Sequence, residues 1–236
     1  MSVKECVEQV QRRIREAALA AGRNPEEITL VAATKVQTSE TIREAIAAGV
    51  QVCGENRVQE FNRHWEEGAY EGARVHFIGH LQRNKVKYLV GKVDLIESVD
   101  SLPLLTAIQE RSAKLGVVQD ILIEVNVAGE ASKSGVEPEA LEELLNQAGQ
   151  MDRIRVRGLM SIPPVSLEPG GNVEYFRRMY QLFIDTQGKM ADNRTTVDIL
   201  SMGMSGDFED AIACGATQVR VGTALFGARP SNRANG

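Results

Sequence analysis

The sequence predicts an α/β protein that folds as a (β/α)8 TIM barrel. Eight short apolar segments, which we interpret as strands, alternate with segments that carry helical periodicity or helix-capping residues. The fifth segment, Ile121–Val125, is apolar on both faces, as expected for a strand of a buried parallel sheet. The alternation continues without a linker or a change in composition through 236 residues, a length typical of one barrel domain.

The first half of the chain supplies four predicted strands and the helices between them. An amphipathic helix comes first, over Val3–Ala21, because Val7, Val10 and Ile14 recur on one side. It precedes the barrel and should plug or flank its bottom. We predict strands over Ile28–Thr34, Val50–Gly54, Val75–Ile78 and Asp94–Ser98, with helices over Ser39–Ala48, Val58–Glu66 and Leu81–Val90.

The second half repeats the pattern. Ser101 caps the next helix, Pro103 lies in its first turn, and Gly116 ends it. We predict strands over Asp120–Val127, Ile154–Ser161, Val197–Met202 and Gln218–Val221, with helices that begin at Glu137 and cover Asn172–Lys189 and Gly206–Ala213. These elements complete eight strand–helix units, more than the five or six strands usual in a doubly wound sheet.

Composition excludes several classes of protein. The formal net charge of −5 argues against nucleic acid as the main partner. No apolar stretch approaches the ~20 residues needed to span a bilayer, and the first residues lack the pattern of a secretory signal. The three cysteines are scattered and odd in number, which indicates reduced thiols in a cytoplasmic protein. We expect one domain over residues 1–236, with the N-terminal helix within 1–22 and a flexible tail over 228–236.

Two features at the predicted strand ends suggest chemistry. Lys35 ends the first apolar segment, where a lysine amine is either paired or used as a nucleophile toward a carbonyl. The last strand breaks into a turn of small residues at Gly222 and Thr223, which could hold a phosphate or be an ordinary turn. Together they suggest a phosphorylated aldehyde as ligand. His76 and His80 lack the spacing of helical zinc ligands, His64 fits a helix surface, and we expect no metal site.

Six segments together give a more specific signal than any one of them. They are Val31–Lys35, Gly54–Glu60, His76–Lys85, Gly158–Ile162, Leu200–Asp207 and Val219–Gly227. In content and order they resemble the pyridoxal phosphate homeostasis proteins, and the resemblance covers nearly the whole chain. It implies a single-domain barrel of the PLP fold type III, related to the N-terminal domain of bacterial alanine racemases but without their C-terminal β-domain.

The resemblance also implies a role for particular residues. Lys35 matches the lysine that forms a covalent Schiff base with pyridoxal 5′-phosphate (PLP). The phosphate is expected at Ser205, Gly206, Gly222 and Thr223, the pyridine nitrogen at Arg220, and the ring between Asn56 and Met204. No residue is expected to be catalytic, because a fixed cation at the ring nitrogen weakens the ring as an electron sink.

The resemblance favours a regulatory protein that buffers PLP and delivers it to PLP-dependent apo-enzymes, and so affects amino-acid and keto-acid balance. We expect it to act as a monomer. The alternative is a PLP-dependent amino-acid racemase with weak activity, which needs a second acid or base opposite Lys35. In alanine racemases a tyrosine of the β-domain fills that role, whereas the tyrosines of this chain fall away from the predicted strand ends. A Schiff-base aldolase fits poorly, since its lysine normally lies on a mid-chain strand beside an acid or a second lysine.

Overall fold

The computed structural model describes residues 1–130, 134–166, 168–189 and 196–227. Eight parallel strands pair in chain order and β8 pairs with β1, so the sheet closes into a barrel and confirms the predicted fold. The strands are β1 (Thr29–Ala33), β2 (Val52–Glu55), β3 (Arg74–Phe77), β4 (Leu95–Val99), β5 (Gln119–Glu124), β6 (Ile154–Met160), β7 (Ile199–Ser201) and β8 (Gln218–Val221). The α-helices are α1 (Val3–Ala20), α2 (Ser39–Ala47), α3 (Val58–Glu66), α4 (Leu102–Leu115), α5 (Leu141–Gly149), α6 (Val173–Lys189), α7 (Phe208–Ala213) and α8 (Thr223–Phe226).

Two local predictions need correction. The helix predicted over Leu81–Val90 is a 3-10 helix over Arg83–Tyr88. Its Asn, Val and Tyr residues are weak α-helix formers, which favours the tighter turn in this short connection. Ser101 is the N-cap of α4 as predicted, but its hydroxyl makes no capping hydrogen bond.

Helix α1 flanks the barrel and does not plug its bottom. It packs mainly against α7 and α8, and also against α2. Helix α8 has only four residues, so α1 completes the outer layer beside the closing strands. Its apolar side (Val7, Val10, Ile14 and Ala18) is buried, and Arg13 Nε donates to Glu209 Oε1 of α7 at 2.7 Å.

Successive residues of each strand face alternately into the barrel and toward the helices. Val31, Ala33, Val52 and Ile78 form a small cluster inside the barrel, and a second is formed by Leu95, Leu122 and Met160. Residues between them along the strands belong to the main core under the helices. Every second residue along a strand faces inward, so the same alternation places Lys35, Asn56 and Glu124 on the inner side at the strand ends. In β8 the inward-facing residues include Gln218 and Arg220.

Within the described ranges, no helix combines the length and the hydropathy that a membrane span requires. Nor does any group of three or more His, Cys, Asp or Glu side chains there have an arrangement suited to a metal ion. The tail predicted to be flexible, 228–236, lies outside the described residues.

Candidate functional site

The candidate site lies at the carboxyl ends of the strands, where β1 and β8 are neighbours. Lys35 follows β1 and is half-buried, two residues beyond the inward-facing Ala33. Gly222 follows β8, and a Cβ added there would lie 3.4 Å from the Cβ of Ala33. The predicted lysine and the predicted glycine turn therefore adjoin on one rim of the barrel, the rim at which barrel enzymes place their sites.

Each neighbour of Lys35 in the chain donates a hydrogen bond to a carboxylate. The Thr34 hydroxyl donates to Glu55 Oε1 at 2.6 Å, and the Val36 N–H donates to Glu60 Oε2 at 2.9 Å. Val36 has a φ of 60°, an unusual value for a β-branched residue. Such strain persists where the surroundings enforce it, and it occurs often at ligand sites.

Glu55 anchors a buried polar cluster behind Lys35. Its Oε1 also accepts from the Tyr70 hydroxyl at 2.8 Å and lies 3.0 Å from His64 Nδ1. Burial, and then the nearby Glu55 carboxylate, raise the pKa of Tyr70 above its ordinary value and raise the pKa of Cys53 to about 12. The prediction that His64 lies on a helix surface is wrong, because its side chain is fully buried.

The loops after β7 and β8 are joined by one side chain. Ser205 Oγ accepts from the backbone N–H groups of Gly222 at 3.2 Å and Ala224 at 3.3 Å. Both hydroxyl lone pairs are then used, so the hydroxyl hydrogen is left to donate. Gly206 is exposed next to Ser205, and a Cβ at that position would meet nothing within 4 Å. Thr223 is likewise exposed at the start of α8.

The Asp207 carboxylate stabilises the loop after β7 with two hydrogen bonds. Its Oδ1 accepts from the Met204 N–H, and its Oδ2 accepts from Asn172 Nδ2, each at 2.7 Å. Asn172 directly precedes α6, so this bond connects the loop after β6 to the loop after β7. Met204 is half-buried in the same loop.

Arg220 extends its guanidinium across the top of the barrel. Nη1 donates to Ser201 Oγ at 2.6 Å and Nη2 donates to the Ser161 carbonyl oxygen at 2.8 Å. Burial lowers the pKa of Arg220, while the carboxylates of Glu97, Glu124 and Asp207 act in the opposite direction. An arginine remains charged in proteins, so the site contains a fixed cation.

Glu124 is a second ionisable group beside that cation. Its side chain is 4% exposed and faces inward from the end of β5. Burial, together with the negative charge of Asp100, raises its pKa to about 7, although Arg220 opposes the shift. Glu124 is therefore a carboxyl whose charge changes near neutral pH.

Two polar atoms at the rim are buried without a partner among the described residues, namely Asn56 Oδ1 and Ser161 Oγ. Asn56 is held in place by the loop after β3, since a Cβ added at Gly79 would lie 2.2 Å from the Asn56 carbonyl oxygen. Buried polar atoms are rarely left unpaired, and the position of these two at the rim makes them available to a ligand bound there. Together with an amine, phosphate donors and a fixed cation, they fit the group that the resemblance implies.

Cavity size alone would not locate this site. One open cavity, of about 660 Å³, lies at the amino ends of the strands and is lined by His76, Gln218 and several ion-paired side chains. Another, of about 800 Å³, lies between α6 and α7. The rim at Lys35 is identified by its side chains and by the alternation of the strands.

Most predicted site residues converge on this rim. Ser205 and Gly222 are directly bonded, Lys35 adjoins them, and Met204, Gly206 and Thr223 lie in the same two loops. Their roles toward a ligand stay predictions. Sequence reasoning included Ser201 in the segment Leu200–Asp207 without giving it a role. It missed the inward-facing Glu97 and Glu124, which a count by two along the strands would have found.

The chain is similar to known proteins along nearly its full length. Residues 7–230 match the family described as "Alanine racemase, N-terminal domain". A pyridoxal phosphate homeostasis protein of Aquifex aeolicus is 46% identical over 229 residues, which cover 97% of this chain and 99% of that protein. The matching sequence therefore includes all of the loops described above.

Solved structures agree with the fold. PipY of Synechococcus elongatus, determined with PLP bound, is 35% identical with a TM-score of 0.79, over 91% of this chain and 100% of that one. An alanine racemase of Clostridium difficile superimposes with a TM-score of 0.72 at 16% identity. That match covers 94% of this chain but 57% of the racemase, and at this identity it shows a common fold alone.

Proposed function

The chain belongs to the pyridoxal phosphate homeostasis protein family, and from this premise we propose that it binds PLP at the rim formed by β1, β2, β7 and β8, with a role in the homeostasis of this cofactor. One observation carries the proposal. A lysine at the end of β1 adjoins a turn at the end of β8, and that turn is bonded to Ser205 of the β7 loop, whose hydroxyl hydrogen can be donated to a phosphate. An aldehyde and a phosphate on one small molecule match these two features.

Each predicted residue has a defined task in this proposal. Lys35 supplies the amine that bonds covalently to the aldehyde, while Ser205, Gly206, Gly222 and Thr223 hold the phosphate. Arg220 donates toward the ring nitrogen, and Asn56 and Met204 line the ring. When bound, PLP supplies an electrophilic carbon and an electron-withdrawing ring.

We propose that the protein holds PLP rather than catalysing turnover. Arg220 is a permanent cation that favours an unprotonated ring nitrogen, which weakens the ring as an electron sink. Racemisation would further require an acid or base opposite Lys35. None of the four tyrosines is placed for that role. Tyr70 donates to Glu55 on the outer face of β2, and Tyr88 follows β3 in a 3-10 helix. Tyr175 and Tyr180 belong to α6.

The proposed cellular role is to buffer PLP in the cytoplasm and pass it to apo-enzymes, as a single-domain monomer. A holding protein suits a reversible covalent bond, since an imine is formed and hydrolysed without loss of the cofactor.

The first test is a titration of the purified protein with PLP, followed by absorbance. We expect one equivalent to bind and to develop the band of a lysine-bound cofactor. The loaded protein, mixed in equal amount with a PLP-dependent apo-enzyme, should restore its activity. A protein that takes up no PLP would contradict binding, and failure to restore the apo-enzyme would contradict delivery. Turnover of D- or L-alanine well above a Lys35→Ala control would favour the racemase.

A further inference from the structure

The inside of the barrel contains a row of buried polar side chains below Arg220. Barrel interiors are ordinarily filled by branched apolar residues. Here His76, Glu97, Ser201, Gln218 and Arg220 face inward from β3, β4, β7 and β8, and none is more than 4% exposed. Buried polar groups are costly unless all of their hydrogen-bonding atoms have partners.

The direction of each hydrogen bond follows from the groups involved. Arg220 Nη1 and Gln218 Nε2 can only donate, and they lie 2.6 Å and 3.0 Å from Ser201 Oγ. Ser201 must accept both, so its single hydrogen goes to Glu97 Oε2 at 2.6 Å.

The other Glu97 oxygen has two more donors. Glu97 Oε1 lies 2.7 Å from Gln218 Nε2 and 2.8 Å from His76 Nδ1. Ionised Glu97 accepts from Ser201 and Gln218 and, when the His76 proton is on Nδ1, from His76 as well, an arrangement that satisfies all three partners. Burial alone would raise the pKa of Glu97, but His76, Arg220 and Ser201 hold it below its ordinary value.

This network holds the Arg220 guanidinium at the rim through hydrogen bonds. Ser201 and the Ser161 carbonyl take two of the five N–H groups of Arg220, and no acceptor among the described residues takes the other three. Glu97 also provides the compensating negative charge, one serine away. Two opposite charges buried near each other are weak evidence for stability alone, because apolar side chains in their place are often as stable.

We propose that Glu97 is a positioning residue for the cofactor. Through Ser201 it fixes the orientation of Arg220 and balances its charge, and it thereby sets how the ring nitrogen of bound PLP is held. This inference rests on the proposed function of the site. It extends that function to a carboxylate within the barrel that has no contact with the rim loops.

The test uses Glu97→Gln and Ser201→Ala with Glu55→Gln as a matched control. Glu55 is also fully buried and accepts several hydrogen bonds, but it faces α3 and its bonded partners are Thr34, His64 and Tyr70. A general loss of stability on removing a buried carboxylate should therefore affect both glutamate variants. Ser201→Ala interrupts the same chain and keeps the charge of Glu97, so it serves if Glu97→Gln does not fold.

The first readout needs no cofactor. Side-chain nitrogen NMR, with the Arg220 signals assigned by their loss in Arg220→Lys, reports rotation of the guanidinium. We expect separate, slowly exchanging Nη signals in the native protein and in Glu55→Gln, and averaged signals in Glu97→Gln and Ser201→Ala. Restrained signals in all of these proteins would overturn the proposal, whether or not the protein binds PLP.

The second readout uses the loaded protein. We expect Glu97→Gln and Ser201→Ala to bind PLP roughly tenfold more weakly, as befits the loss of a charge-assisted hydrogen bond. The absorbance of their bound cofactor should also change with pH differently from that of the native protein. Absorbance and pH profiles identical to those of the native protein would overturn the inference while leaving PLP binding intact. Absence of binding by the native protein would instead count against the proposed function.

Discussion

The hydroxyl oxygen of Ser205 lies 3.2 Å from the backbone nitrogen of Gly222, and it accepts a hydrogen bond from that N–H group. This bond joins the loop after β7 to the turn after β8, at the rim next to Lys35. A second N–H, from Ala224, uses the remaining lone pair, so the hydroxyl hydrogen can be donated to a ligand. One hydroxyl donor is therefore available at this rim, where we propose that the phosphate binds.

Ser205→Ala should weaken binding of PLP selectively. The variant loses one donor to the phosphate and the bond that joins the two loops, so we expect roughly tenfold lower affinity. Pyridoxal, which has no phosphate, should bind the variant and the native protein alike. Titrations with both compounds measure the effect, and Ser112→Ala is the control, since the buried Ser112 hydroxyl has no described partner. An equal loss for both compounds would contradict a phosphate role.

Gly79→Ala should both destabilise the protein and impair the site. The added Cβ would lie 2.2 Å from the Asn56 carbonyl oxygen, so one of the two loops must move. We expect a loss of about 2 kcal/mol or more in the free energy of unfolding, within the range for overpacking, and weaker PLP binding. Gly188→Ala in α6 is the control, because a Cβ there meets nothing within 4 Å. Urea unfolding that gave equal midpoints for both variants would argue against this close approach.

Glu124 should make stability depend on pH. Its pKa is raised from 4.5 to about 7, so the native state keeps a proton that the unfolded chain releases. Its contribution is complete below about pH 4.5 and is lost as the pH rises through about 7. Glu124→Gln cannot ionise, so its stability relative to the native protein should improve by about 3 kcal/mol between pH 4.5 and pH 8.

Urea unfolding at these two pH values measures that difference. Glu110→Gln, on the exposed side of α4, is the control for loss of a carboxylate in general. A Glu124→Gln variant that followed the native pH dependence throughout would show that Glu124 is not held neutral.

The fold could be predicted because each strand is short, apolar and punctuated by its own turn or capping residue. The rim was predictable for a similar reason, since parallel strands place their carboxyl ends together and Lys35 and Gly222 stand at two of those ends. Contacts between residues separated in the chain could not be predicted from the sequence. His64 has the pattern of a helix-surface residue, and its burial follows from contacts with Glu55 and Tyr70, which are 9 and 6 residues away in the chain.

The interior network is a further case of long-range pairing. Ser201 and Glu97 are separated by 104 residues, and only closure of the barrel brings them together. Their inward direction was readable from alternation along β4 and β7, but their mutual contact depends on strand stagger. The 3-10 turn over Arg83–Tyr88 departs from prediction because helical periodicity does not separate an α-helix from a tighter one over six residues.

The covalent bond at Lys35 is the central claim, and trapping it with borohydride tests it most directly. The protein is loaded with PLP, reduced, digested and analysed by mass spectrometry, beside Lys35→Ala and a Lys87→Ala control at an exposed lysine. We predict one reduced adduct, on the peptide that contains Lys35, which is absent from Lys35→Ala and unchanged in Lys87→Ala. An adduct on a different lysine in the native protein, or undiminished labelling of Lys35→Ala, would contradict the account.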